Sequence, residues 1–162
     1  MKYPKRYIPK ALSKKDRNKQ IRQINKSKKE YTRGKYYKRK HVSSFKSKPS
    51  KHILAAQKLY KMDKIYANRE LAKKTQCSIG TLKKIEQKGM GAYYSSGSRP
   101  NQTPQSWGRA RLASSITGGK ASAIDYKLLS NGCKPFSKTL KLAKKAMKKY
   151  KKGRRKTPKY KV

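Results

Sequence analysis

Apolar positions are sparse along this chain, and where they recur they do so three or four residues apart. Leu12, Ile21 and Ile24 draw a thin stripe through a basic stretch, and Ser13 followed by Asp16 fits a capping pattern, which predicts a helix over about 14–29. The segment "YTRGKYYKRKHVSSFKSKPSK" then breaks the period with Gly34, serines and Pro49 and reads as extended and basic. Its tyrosines suit stacking on bases or docking on protein. Ser50 opens a further helix whose Ile53, Leu54, Gln57 and Tyr60 keep the spacing, with an end near Met62. Near the C-terminus, Ile124, Leu128 and Leu129 mark a short helix stopped by Gly132. Ser137 caps the last helix, with Leu140, Ala143, Met147 and Tyr150 along one side and lysines around the rest. No strong strand pattern interrupts these elements.

The stretch "NRELAKKTQCSIGTLKKIEQKG" resembles the helix-turn-helix of DNA-binding proteins. Asn68 caps a first helix with Leu71 and Ala72 inward, a turn follows at Gln76 and Cys77, and Ser78 caps a second helix carrying Leu82 and Ile85 to an end at Gly89. The turn of that family usually holds a glycine where this chain has Gln76. A functional resemblance implies that Thr81, Lys83, Lys84 and Lys88 face a groove or phosphates. The alternative is an ordinary helical corner with lysines on a solvated face.

Directly afterwards, "GAYYSSGSRPNQTP" predicts a structured loop, with Gly91 and Gly97 able to take positive φ. Thr103 and Pro104 start a helix running to Gly118, with Trp107, Ala110, Ala113 and Ile116 on its buried side. Arg111 falls near the Trp107 face and Arg109 elsewhere. An arginine so placed stacks on the indole or forks two hydrogen bonds to a phosphate, a carboxylate or carbonyls. Ser95, Ser96, Ser98, Arg99 and the helix start at Thr103 make a candidate anion site; the plainer reading has Arg99 bracing loop carbonyls.

Charge changes this picture most. The 162 residues carry 48 Lys and Arg against 6 Asp and Glu, a formal net charge of +42, with only 33% hydrophobic residues. Residues 1 to 74 hold 26 of the basic residues, 75 to 137 hold 9 and 138 to 162 hold 13. Self-repulsion on this scale calls for a polyanionic partner, nucleic acid first, an acidic protein surface second and an anionic membrane third. The expected fold class is all-α: a small helical domain with a helix-turn-helix-like pair and long basic N- and C-terminal arms. The expected domains are an arm with one helix over 1–49, a helical core over 50–150 and a basic tail over 151–162, with Arg154 and Arg155 as phosphate contacts. No apolar run suits a membrane span, and no segment reads as a secretion signal. Cys77 and Cys133 read as two buried free thiols and hint at a reducing site of assembly.

The block Gly-x-Gly-Ala-Tyr, a Ser-Gly-Ser-Arg-Pro turn and Trp-x-x-Ala-Arg, carried by Gly89, Gly91, Ala92, Tyr93, Gly97, Ser98, Arg99, Pro100, Trp107, Ala110 and Arg111, resembles a family of large nucleocytoplasmic DNA virus proteins, with looser relatives in marine tailed phages. The resemblance covers roughly 68–133, and that family has no established activity to transfer. It implies a viral setting.

The acids Asp16, Glu30, Asp63, Glu70, Glu86 and Asp125 are scattered, and no carboxylate pair, catalytic triad, P-loop or metal cluster emerges. The expectation is therefore no enzyme, no cofactor, no metal and no small-molecule substrate. The expected role is a structural protein of a large DNA virus particle, a minor capsid or internal virion protein bridging capsid proteins and packaged DNA. It would lie on the inner side of the capsid or core after assembly in the host cytoplasm or nucleus. The alternatives are a helix-turn-helix protein that binds or condenses DNA and a ribosomal-type RNA-binding protein. Candidate anion or nucleic-acid contacts are Arg99, Arg109, Arg111, Ser96, Ser98, Lys83, Lys84, Lys88, Arg154 and Arg155.

Overall fold

A computed structural model describes residues 1–154 and 156–161. The fold class is all-α as expected, with eight helices among the described residues and one small two-stranded sheet. In chain order the elements are β1 (Lys2–Pro4), α1 (Lys14–Thr32), α2 (Lys51–Tyr60), α3 (Arg69–Thr75), α4 (Ile79–Ser95), α5 (Pro104–Ile116), α6 (Lys120–Ile124), α7 (Tyr126–Gly132), α8 (Lys138–Lys149) and β2 (Lys159–Lys161). Two compact units form: one from 1–48, 90–107 and 156–162, the other from 49–89 and 108–155.

The first unit corrects the expectation of arms. Tyr3, Tyr7, Ile8 and Ile24 are buried together, with Ile21, Trp107 and Tyr160 packed on them. β1 pairs antiparallel with β2, Tyr3 opposite Tyr160, so Lys159–Lys161 of the basic tail is a strand of a folded unit. Helix α1 starts as the pattern predicts, with the Ser13 hydroxyl accepting from the Asp16 N–H at 3.2 Å. It ends at Thr32, and Gly34 just beyond, with φ of +71°, reverses the chain. The Gly34 N–H donates to the Tyr31 carbonyl and the Lys35 N–H to that of Glu30, which closes the last turn. The irregular segment after Gly34 is pinned by side chains: Gln23 and Asn101 bond the backbone at Lys40 and Val42, and the Ser44 N–H donates to Asp16.

The second unit holds the larger core, in which Leu71, Leu82, Ile85, Leu112, Ala113, Ile116, Leu129 and Ala143 are each fully shielded. Three caps match the sequence reading: Asn68 accepts from the Leu71 N–H at 2.8 Å, Ser78 from the Thr81 N–H at 3.2 Å and Ser137 from the Leu140 N–H at 3.2 Å. Ser50 stands at the start of α2 without a side-chain cap bond, and Leu54 faces solvent. The Tyr60 hydroxyl donates to the Ile116 carbonyl at 2.6 Å and accepts from the Thr139 hydroxyl at 2.7 Å; burial pushes its phenol up to about 12, although the Thr139 hydrogen bond works the other way.

Three local expectations fail. Helix α4 does not stop at Gly89 but continues to Ser95, because Gly89 is buried and Tyr93 packs inward, so contacts outweigh the low helix propensity of glycine. Gly91 is consequently helical, and within the predicted loop only Gly97 among the glycines takes positive φ, +113°. The helix expected around Ile124 is two helices broken at Asp125, which turns Ile124 outward and Asp125 inward.

The cysteines are corrected as well: Cys77 and Cys133 form a disulfide. Each follows a helix end. Gln76 takes the left-handed conformation at φ +56° after α3, and Cys133 leaves α7 extended, so the two segments meet antiparallel. The Ser78 N–H donates to the Gly132 carbonyl and the Lys134 N–H to that of Gln76, both within 2.9 Å. With both thiols paired, the inference of a reducing site of assembly loses its basis.

Candidate nucleic-acid interface

The arginines of the central block have separate duties. Arg111 forks onto Asp125, Nε donating to Oδ2 at 2.9 Å and Nη2 to Oδ1 at 2.8 Å. Lys88 adds a third charged donor at 2.9 Å and the Ser115 hydroxyl a fourth bond at 3.1 Å. Asp125 is 1% exposed. Burial raises its pKa, but the hydrogen bonds and charges of Arg111 and Lys88 outweigh this and hold the carboxyl below its ordinary value. A carboxylate in such a clasp is a structural anchor, and two predicted contacts, Arg111 and Lys88, are engaged by it.

Arg39, which sequence reasoning passed over, organises the first unit. Its Nη1 donates to the Ser27 hydroxyl at 3.0 Å and the Tyr93 carbonyl at 2.8 Å, and its Nη2 donates to the Ser98 hydroxyl at 2.7 Å. The guanidinium lies 3.7 Å from the centroid of the Tyr93 ring. Burial lowers its pKa, while the neighbouring phenols of Tyr93, Tyr7, Tyr37 and Tyr94 pull the other way. The mixed signal in the sequence was a fork-shaped donor within a lysine-rich segment.

The predicted anion site is therefore not assembled as expected. Ser98 is buried and its hydroxyl, besides accepting from Arg39, donates to the Arg99 carbonyl. Ser95, Ser96 and Arg99 are exposed. Thr103 does cap α5: its hydroxyl accepts from the Ser106 N–H, and the Ser106 hydroxyl accepts from the Thr103 N–H, both at 3.0 Å. Trp107 is half-buried, with Tyr7 edge-on at 5.9 Å and the Arg6 guanidinium 5.9 Å from its ring centroid. Arg109 is exposed and lies 5.9 Å from the ring centroid of Tyr66.

On the helix-turn-helix-like pair, Lys83 and Lys84 are exposed. Thr81 is buried instead of facing a groove: its hydroxyl accepts from that of Ser78, and it packs against the backbone of Gly132. The presumed reading face thus keeps two of its four residues, both of them lysines, which meet phosphates as point charges and do not read base edges. Arg154 is exposed, and Arg155 lies outside the described residues.

Residues 4–127 match the model of a family described as a family of unknown function, DUF5824. The chain belongs to this family. The matched segment takes in Arg39, Tyr93, Ser98, Arg111 and Asp125 and stops before Cys133 and α8. No curated protein and no solved structure matches the chain. Among the described residues no helix is long and apolar enough to cross a membrane, and no group of three or more His, Cys, Asp or Glu is placed to hold a metal ion.

Proposed function

We propose that the protein is a non-enzymatic structural protein of a large DNA virus particle, a minor capsid or internal virion protein that bridges capsid proteins and packaged DNA. The observation that carries the DNA half of this reading is α8. Thr139, Leu140, Ala143 and Ala146 are buried, while Lys138, Lys141, Lys144, Lys145, Lys148 and Lys149 are all exposed, with no acid on the helix. Like charges three and four apart cost such a helix about 0.2–0.5 kcal/mol per pair. A helix that carries this repulsion on its solvent side is relieved of it by a polyanion. Lysines without interleaved arginine forks fit phosphate neutralisation better than base readout. The capsid half and the viral setting rest on the resemblance of the Gly89 to Arg111 block to virus proteins.

Duplex DNA binding followed across a salt series tests the DNA half. The logarithm of the binding constant should fall linearly with the logarithm of salt, by about 0.9 per phosphate neutralised. Reversing Lys144, Lys145 and Lys148 to Glu should flatten that line. Binding that ignores salt, or no binding, contradicts the reading.

A further inference from the structure

Tyr31, Tyr36 and Tyr94 form a cluster of rings on the first unit. The rings of Tyr31 and Tyr94 are parallel within 2° with centroids 6.3 Å apart, and Tyr36 is tilted by 60° to both, at 6.2 and 5.1 Å. Tyr36 is 70% exposed and Tyr31 38%. Exposed aromatic rings gathered in this way are unusual on a chain with so little apolar content, and the fold holds them there. The left-handed turn at Gly34 returns the chain so that Tyr36 meets Tyr31, the last full turn of α1. Tyr94 is fixed from below by buried Tyr93, edge-on at 5.1 Å, and by its carbonyl, which accepts from the Ser27 hydroxyl at 3.1 Å. Gly91 lies beneath Tyr31, where an added Cβ would stand 3.9 Å from the phenol oxygen.

The surroundings select the occupant. Lys29, Arg33, Lys35 and Lys38 are exposed on the same stretch of chain. The nearest acid in sequence, Glu30, is already 3.8 Å from Arg33. We propose that this tyrosine cluster is a stacking site for unpaired bases of a single-stranded nucleic acid, whose phosphates the adjacent cations take. Flat rings accept any base face, and cations beside them follow the backbone, the combination that single-strand binding uses. Bases inside a duplex present no free face to such rings. The proposal rests on the nucleic-acid half of the reading above and adds to it a preference for bases.

The test uses the full chain and labelled strands of one length: single-stranded DNA, single-stranded RNA, an abasic DNA strand with the same phosphates, and duplex DNA. The expected result is binding at least about five-fold tighter to a base-bearing strand than to the abasic one. The Tyr31→Ala, Tyr36→Ala double variant should erase that difference with the salt dependence unchanged, and the corresponding Phe variants should keep it. The DNA and RNA arms tell which strand is preferred. Equal binding of abasic and base-bearing strands by the unaltered protein overturns the proposal, whatever the variants do. If the duplex still binds with steep salt dependence, the phosphate reading survives that failure; if no strand binds, both fall. Competition by polyglutamate as effective as by the base-bearing strand also overturns it, in favour of an acidic protein partner.

Discussion

Arg111 grips Asp125 through two parallel hydrogen bonds of 2.9 and 2.8 Å, across a helix break that the aspartate itself marks. The fork is what lysine lacks. Arg111→Lys should lower unfolding stability by about 1–2 kcal/mol, since one ammonium cannot replace two oriented donors. Asp125→Asn should cost more, about 3 kcal/mol, because it leaves the partly buried guanidinium without its counter-charge. Urea unfolding of both variants checks this, and an unchanged midpoint for Arg111→Lys would sink the directional role of the arginine.

Acid should act on the same clasp. Burial opposes the charge of Asp125, yet Arg111 and Lys88 hold its carboxyl lower in the folded than in the unfolded chain. The unfolded state therefore binds more protons as the pH falls below about 4, and stability contributed by Asp125 is lost progressively from there downward. Above that range the contribution is constant. Asp16, lowered chiefly by its hydrogen bonds with Ser44, adds to the loss in the same window. Urea midpoints measured from pH 6 to pH 2 at fixed ionic strength should fall for the native chain and fall less for Asp125→Asn.

The disulfide closes a long segment, since Cys77 and Cys133 have a sequence separation of 56. Restricting the unfolded chain by a loop of that size contributes about 4 kcal/mol in the loop-entropy account. Reduction, or Cys133→Ser, should lower the unfolding midpoint accordingly, while intact-mass measurement after alkylation of the unreduced protein should find no modified thiol. Alkylation at both cysteines without a reductant would contradict the pairing.

Arg39 makes a parallel case in the first unit. Arg39→Lys removes the fork between Ser27, Ser98 and the Tyr93 carbonyl and thins the contact with the Tyr93 ring. Loss of about 2 kcal/mol is expected. Hydrogen exchange should quicken first in α1 and in the segment after Gly34; protection equal to that of the native chain would show the network to be dispensable.

What the sequence made legible was local. Ser13, Asn68, Ser137 and Thr103 announce their helices because a cap bonds a backbone N–H two or three residues away, and all four do so. The turn at Gln76 after α3 was visible too, although its left-handed conformation, without glycine, was not. What escaped depended on distant partners. Asp125 looked like one more surface acid, since its clasp comes from residues 14 and 37 positions earlier. The cysteines looked isolated because the antiparallel meeting of two helix ends is a tertiary event. Residues 1–48 looked like an arm because their buried side chains, Tyr3, Tyr7, Ile8, Ile24 and Val42, follow no single helical period and gain their cover from residues far along the chain. Arg39 was hidden among lysines. Of the candidate contacts, Lys83, Lys84, Arg99 and Arg109 stand exposed, while Ser98, Arg111 and Lys88 are engaged by internal partners.

The central claim is a place between capsid and genome, and fractionation of purified virus particles tests it most directly. Particles extracted with stepwise salt and mild detergent would be followed for this protein by mass spectrometry, before and after nuclease treatment. The account predicts that the protein is present in the particle, that part of it leaves with the DNA at high salt, and that part stays with the capsid shell. Absence of the protein from the particle would contradict the account.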